Sequence, residues 1–219
     1  MTDKTLLAQK TSVSFAKAGP AIRHSHHDMI RFWERAIRRA GLPVRLTGGF
    51  NPHPRMVFPH ALGVGVASRH EEIEIEFHSP VAVEDIARRL SLACAGVLEI
   101  LSAANLPPTR RGRRIRESAY FFGPWPPGVG DALPKAIEAL LARREIAFRR
   151  GAPGAERLAD IRPFILRLSH DPERNGVRAD FAHDNSGSAR PDEIVRLLAE
   201  AVGTDWRGIG MEKTGMTLE

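Results

Sequence analysis

In the strand-like stretch from Glu71 to Phe77, charged and hydrophobic residues alternate without a break from Glu72 on: Ile73, Ile75 and Phe77 fall on one side of an extended chain, and Glu72, Glu74 and Glu76 on the other. A period of two is incompatible with a helix face, so this stretch is a strand with one side in a core, closed by Pro80. Residues 11–17 alternate in the same way and break at Ala18-Gly19-Pro20-Ala21. Between these strands, Ser25 is an N-cap and Asp28, three residues on, approximates a capping box. The apolar residues Met29, Ile30, Trp33, Ala36, Ile37 and Ala40 follow at helical spacing, and Gly41 and Pro43 stop the helix. Residues 44–47 and 56–58 read as short strands and 62–66 as a glycine-broken extended piece. Residues 83–94 read as a helix and 97–103 as a returning strand. Strand–helix–strand–strand–helix–strand is the ferredoxin-like order.

The same order can be drawn a second time. Residues 107–117 read as a linker, with Arg110, Arg111, Arg113, Arg114 and Arg116 in seven positions. Beyond it come a strand at 118–122, a helix at 133–143, a strand at 145–149 and a hairpin with arms 163–169 and 176–181. A helix at 191–202, opening on Pro191, and a strand at 210–218 close the chain. The expected fold is therefore α+β, with two ferredoxin-like βαββαβ units in tandem (residues 1–106 and 118–219) joined by the arginine-rich linker at 107–117. The alternative is a single α+β domain with one shared antiparallel sheet. No repeat is visible in the sequence itself.

Composition narrows the class. Hydrophobic residues make up 42% and charged residues 26%, the balance of a soluble globular protein with a full core. No apolar run approaches the roughly 20 residues of a membrane span, and residues 1–10 carry no secretory pattern, so a cytoplasmic protein is expected. Cys94 is the single cysteine; it excludes an internal disulfide and any all-cysteine metal site, and its apolar neighbours read as those of a buried thiol. Residues 1–116 hold 18 Lys and Arg against 10 Asp and Glu, whereas residues 117–219 hold 14 against 16. A basic half joined to a near-neutral half fits a polyanion binder with one contact face.

Two elements concentrate the unusual chemistry. On the first helix Arg31, Arg35, Arg38 and Arg39 fall on one arc opposite the apolar stripe. Guanidinium matches phosphate bidentately, so this arc and the linker arginines are candidate phosphate contacts, the alternative being a solvated outer face. Phe32 and Phe50 are candidates to stack on bases. The second element is Gly48-Gly49-Phe50-Asn51-Pro52-His53-Pro54-Arg55, where glycines allow a tight turn and prolines stiffen it. Six histidines, His24, His26, His27, His53, His60 and His70, crowd nearby, without the spacing of a metal site. They could order the turn, bind an anion or serve as an acid/base pair. The expected geometry has the turn folding back over the start of the helix to form one cationic, imidazole-lined recess.

These blocks also carry a resemblance. Phe15-x-Lys17-x-Gly19, Ser25-His26-x-Asp28, Arg35-Ala-x-Arg38-Arg39-Ala-Gly-Leu-Pro43, Gly49-Phe-Asn-Pro-His-Pro-Arg55 and Leu62-x-x-Gly65 together resemble the radical-SAM-linked protein family. Arg162-Pro163, Gly187-Ser-x-Arg-Pro191 and Lys213-Thr-Gly215 extend the likeness over nearly the whole chain. His27 and Met29 stand where that family usually has Leu, which shifts weight to Ser25, His26, Asp28, Asn51, His53 and Arg55. The resemblance implies a bacterial domain of unknown function that works beside a radical SAM protein, with RNA as the substrate class by association. This chain lacks a three-cysteine cluster motif and cannot do radical SAM chemistry unaided. The expectation is an accessory RNA-binding module without cofactor or metal. Arg31, Arg35, Arg38, Arg39, Arg55, Arg110, Arg111, Arg113 and Arg114 would hold phosphates, and Ser25, Asp28, Gly49, Phe50, Asn51 and His53 would form the recognition turn. The rivals are a metal-independent ribonuclease or RNA-modifying enzyme using His26 and His53, and a protein-binding adaptor.

Overall fold

The structure, a computed structural model, describes residues 7–107, 112–152 and 154–219. The protein is α+β, with four α-helices and ten strands among the described residues. The chain divides into two compact units, Met1–Arg114 and Ile115–Glu219.

The first unit runs β1 (Gln9–Lys17), α1 (His26–Arg39), β2 (Met56–Val57), β3 (Val66–Phe77), α2 (Val83–Cys94) and β4 (Glu99–Leu106). Its strands lie in the order β4-β1-β3, with β2 on the far side of β3, and every pair is antiparallel. The alternation read from the sequence is the one that packs: Val13, Phe15, Ile73, Ile75 and Phe77 are buried against Trp33 and Ile37 of α1 and Ile86 and Leu90 of α2. Burying each such side chain contributes about 1.5–3 kcal/mol. Cys94 lies in this core, and burial pushes its thiol up to about 12.

Helix α1 begins as its sequence requires. The Ser25 hydroxyl accepts the Asp28 amide at 3.2 Å, and the Ser25 amide donates to Asp28 Oδ2 at 3.0 Å. Other expectations need correction. Residues 44–47 form two isolated bridges, Val44 to Phe77 and Leu46 to Pro54, rather than a strand. Phe32, expected as a stacking aromatic, is buried edge-on to Trp33, because its place on the helix falls inside the apolar stripe.

The second unit runs β5 (Ile115–Phe122), α3 (Leu133–Leu141), β6 (Ala147–Arg150), β7 (Arg157–Asp160), β8 (Ile165–Asp171), β9 (Gly176–Ala182), α4 (Pro191–Val202) and β10 (Met211–Leu218). The order β10-β5-β9-β8 is again antiparallel. Strand β5 begins inside the expected linker. The strand expected near 145–149 pairs with β7 in a separate two-stranded hairpin, off the main sheet. Arg150 ties that hairpin to α4: its Nε and Nη2 each lie 2.6 Å from the Glu193 carboxylate, and Nη2 donates to the Ser188 carbonyl at 2.7 Å. No helix among the described residues is long and apolar enough to cross a membrane.

Candidate functional site

Arg31, Arg35, Arg38 and Arg39 all lie exposed on α1, and no guanidinium among them makes an ion pair or a hydrogen bond among the described residues. Two carboxylates stand within reach of that face, Asp28 one turn before Arg31 and Glu34 between Arg31 and Arg38. Glu34 is three residues after Arg31 and four before Arg38, the spacings at which helix side chains meet. Its Oε1 instead lies 2.8 Å from His53 Nδ1. The imidazole engages Glu34, and Asp28, the acid one turn before Arg31, is tied into the helix cap while its charge still acts on Arg31; Arg35, Arg38 and Arg39 make no ion pair among the described residues.

The loop that delivers His53 is closed at its base. Thr47 N–H donates to the His53 carbonyl at 2.8 Å, and the His53 amide donates back to Thr47 Oγ1 at 3.0 Å. Next along the chain, Arg55 N–H donates to the Arg45 carbonyl and Glu76 N–H to the Arg55 carbonyl, which anchors the loop to β3. Gly49, at φ 108°, makes the turn at the tip in a conformation that side chains rarely adopt. Phe50 there is fully exposed, at 107%. Asn51, His53 and Arg55 are exposed as well, and Arg55 has no ion pair among the described residues. A turn pinned to the flank of a four-arginine face thus presents an unburied aromatic ring.

The structure does not bring the remaining candidates to this place. The turn meets the middle of α1, not its start, so the single recess expected from the sequence is absent. Ser25 and Asp28 are engaged with each other in the helix cap, and the Ser25 hydroxyl and amide hold the Asp28 carboxyl below its usual range. His26 lies edge-on to Phe58, ring centroids 5.4 Å apart, in a crevice lined by Lys17, Met29, His60, Leu62 and Glu71. Burial and the neighbouring His27 lower its pKa. Eight residues separate His26 from Glu34, about 12 Å along the helix axis, so His26 and His53 are held apart and do not form an acid/base pair.

The linker arginines divide. Arg113 is engaged within the first unit: its Nε donates to Glu74 Oε1 at 2.8 Å, and Nη2 reaches Ser12 Oγ at 2.9 Å and Glu72 Oε2. Lys10 binds the same Glu74 at 2.7 Å. Burial works against the charges of Glu72 and Glu74, but the hydrogen bonds from Ser12, Lys10 and Arg113 outweigh it and hold both carboxyls low. Arg113 therefore has its Nε and Nη2 committed to two carboxylates on a largely covered side chain and is not presented to a phosphate, a correction that follows from the glutamate row of β3. Arg114 is exposed and has a partner within the protein. Arg110 and Arg111 lie outside the described residues.

Sequence reasoning missed the partnership of Glu34 with His53, nineteen residues apart. The available signal was that Glu34 is the one acid within a turn of Arg31 and Arg38. It also missed a half-buried imidazole in the second unit, where the buried Ser118 Oγ lies 2.6 Å from His183 Nε2. Burial and the nearby Lys213 push His183 down to about 4. Among the described residues no three His, Cys, Asp or Glu side chains are grouped to hold a metal ion.

A family described as "Uncharacterized protein conserved in bacteria (DUF2344)" matches residues 10–191 of the chain. A crystal structure of an unknown protein from Galdieria sulphuraria is similar over 94% of this chain and 98% of that one, at 17% identity and a TM-score of 0.27. No curated protein matches.

Proposed function

The chain belongs to this uncharacterised bacterial family, and we propose that its first unit binds RNA through α1 and the turn at residues 48–54. One observation carries the reading: four exposed guanidiniums without an ion pair among the described residues stand on one helix face, while Glu34 beside them is engaged by His53 and Asp28 by the helix cap. Phosphate is the partner that planar guanidiniums with open donors match best. Phe50, exposed on the pinned turn, adds a ring on which an unpaired base stacks. Arg55 extends the cationic surface. A single-stranded segment fits better than a duplex, whose bases are already stacked on each other.

Three further steps belong to the same proposal. Each unit is of the ferredoxin-like kind, a reading supported by the strand orders β4-β1-β3-β2 and β10-β5-β9-β8, in which the first strand lies between the last and the third. The protein works in the cytoplasm. It presents its RNA to a radical SAM enzyme, a step supported by the sequence motifs alone; co-elution of the two purified proteins on gel filtration tests it, and separate elution at micromolar concentration removes it.

The RNA proposal is tested by fluorescence anisotropy with a labelled single-stranded RNA at low and moderate salt. Binding that weakens steeply with salt, and that is weakened and made nearly salt-independent by replacing Arg31, Arg35, Arg38 and Arg39 with Ala, is the expected result. Absence of binding at about 50 mM salt, or binding unchanged in the fourfold variant, overturns it and leaves an acidic protein partner as the reading of the face.

A further inference from the structure

The helix-free face of the second sheet holds a cleft that the proposed RNA surface does not use. Strand alternation sends Tyr120 and Phe122 of β5 and Phe181 of β9 into the core, and turns Phe121, Arg178 and Asp180 to the opposite face. There a cleft of about 310 Å³ is lined by Phe121, Arg167, Ser169, Arg174, Arg178 and Asp180. That volume is at the lower end of the range for small-molecule sites.

Two of its guanidiniums are held in place. Arg178 sets Nε 2.8 Å and Nη2 2.7 Å from Oδ2 of Asp171, a residue only 5% exposed. The other oxygen of Asp171 accepts the Arg174 amide at 3.1 Å, so one buried carboxylate organises both arginines. The Arg174 guanidinium lies 3.6 Å over the Phe121 ring and 3.5 Å from Glu212. That ring lies against Gly176, where any Cβ would stand 2.1 Å from Cζ, and only glycine admits the stack. Arg167, on β8, is exposed and has no ion pair among the described residues; Asp180 likewise has none.

We propose that this cleft binds a phosphomonoester of nucleotide size. Phosphoryl oxygens sit between Arg167, Arg174 and Arg178, whose rigid N–H forks match them. Asp180 and Ser169, the cross-strand neighbours of Arg167 and Arg178, accept hydroxyl or amino donors on the part of the ligand that adjoins its phosphoryl group. The free Asp180 carboxylate also sets the class. It repels a second phosphate and accepts from a sugar or a base, so the site selects a monoester over a dense polyanion. The proposal is independent of RNA binding on α1.

The test is calorimetric titration of the full chain with AMP, adenosine, inorganic phosphate and ADP. AMP is expected to bind saturably, with adenosine at least about tenfold weaker. Arg167→Ala and Arg167→Gln should each weaken AMP about tenfold at an unchanged melting temperature, since Arg167 supports nothing in the fold. Asp180→Asn should narrow the preference for AMP over ADP, and Arg149→Ala, an exposed charge control on β6, should change nothing. A 5′-phosphorylated RNA trinucleotide and its 5′-hydroxyl counterpart separate the two sources of the group. Binding of the phosphorylated form more tightly than AMP identifies an RNA end, and equal or weaker binding identifies a free nucleotide. Equal affinity for AMP and adenosine, no saturation at millimolar AMP, or indifference to both Arg167 variants overturns the proposal.

Discussion

Glu34 lies one helical turn from Arg31 and one from Arg38, yet its carboxylate is held by His53. Replacing His53 with Ala frees Glu34 to pair with either arginine, an exchange worth about 0.3–0.5 kcal/mol on an exposed helix, and also unpins the turn that carries Phe50. The expected outcome is weaker RNA binding, measured by anisotropy, with unfolding free energy changed by no more than about 0.5 kcal/mol. Glu34→Gln removes the same acid without restoring a charge to the face. If it binds RNA as well as the parent, the carboxylate matters only as a charge to be hidden; if it binds as poorly as His53→Ala, the pair matters for holding the turn. A second residue of this kind is His183, which burial and Lys213 push down to about 4 from an ordinary value of 6.5. The unfolded chain therefore binds the proton first on acidification. Stability is full above about pH 6.5 and falls as the pH drops toward 4, since the unfolded state holds more protons across that window. In His183→Asn this part of the pH dependence should vanish from urea unfolding midpoints measured at pH 7 and pH 4.5; an unchanged difference between the two midpoints would remove His183 as its source.

Elements differ in how far their own residues determine them, and the β6–β7 hairpin is the least self-sufficient. It pairs with no strand of the main sheet, and Arg150 joins it to α4 through Glu193, 1% exposed. Taking away one partner of a buried ion pair leaves the other charge uncompensated, at a cost of about 3–5 kcal/mol. Arg150→Ala should show a loss of that size in denaturant unfolding, and a loss under about 1 kcal/mol would mean that water reaches Glu193 in the variant. Nothing in residues 145–149 announces this arrangement, because the pairing acid lies in another element more than forty residues away. By contrast α1 and β3 are legible from local residues. The Ser25–Asp28 box starts the helix, the apolar stripe from Met29 to Ala40 fixes its buried side, and the Ile-Glu alternation fixes both faces of the strand. Residues 44–47 look like a strand by composition, but their pairing is limited to isolated bridges, from Val44 to Phe77 of β3 and from Leu46 to Pro54. The same divide runs through the candidate site. The arginine arc is periodic and can be read from sequence. The neutralisation of Arg113 by Glu72 and Glu74, and the docking of His53 on Glu34, are long-range pairings that no local pattern encodes.

At the scale of the whole molecule the question is whether polyanion binding follows from total charge or from one surface. The net charge of +6 is unevenly divided: residues 1–114 hold 17 Lys and Arg against 10 Asp and Glu, and residues 115–219 hold 15 against 16. Within the first unit, Lys10, Arg45 and Arg113 are matched to Glu74, Glu76 and Glu72. The exposed arginines without an ion pair on α1 and the adjoining turn are therefore much of what a phosphate backbone would meet there. Counterion release turns that into a number. A single strand contacting the five guanidiniums of Arg31, Arg35, Arg38, Arg39 and Arg55 gives a slope of log K against log salt of about −3.5, at roughly −0.7 per phosphate. Removing the four helix arginines should reduce the slope to about −0.7, the single contact left to Arg55. If attraction came from net charge spread over the molecule, the fourfold variant, still with 28 Lys and Arg from the original 32, would keep a slope close to that of the parent. Measuring both slopes on the same RNA separates the two cases, because the local mechanism demands a loss of nearly all salt dependence from a loss of one arginine cluster.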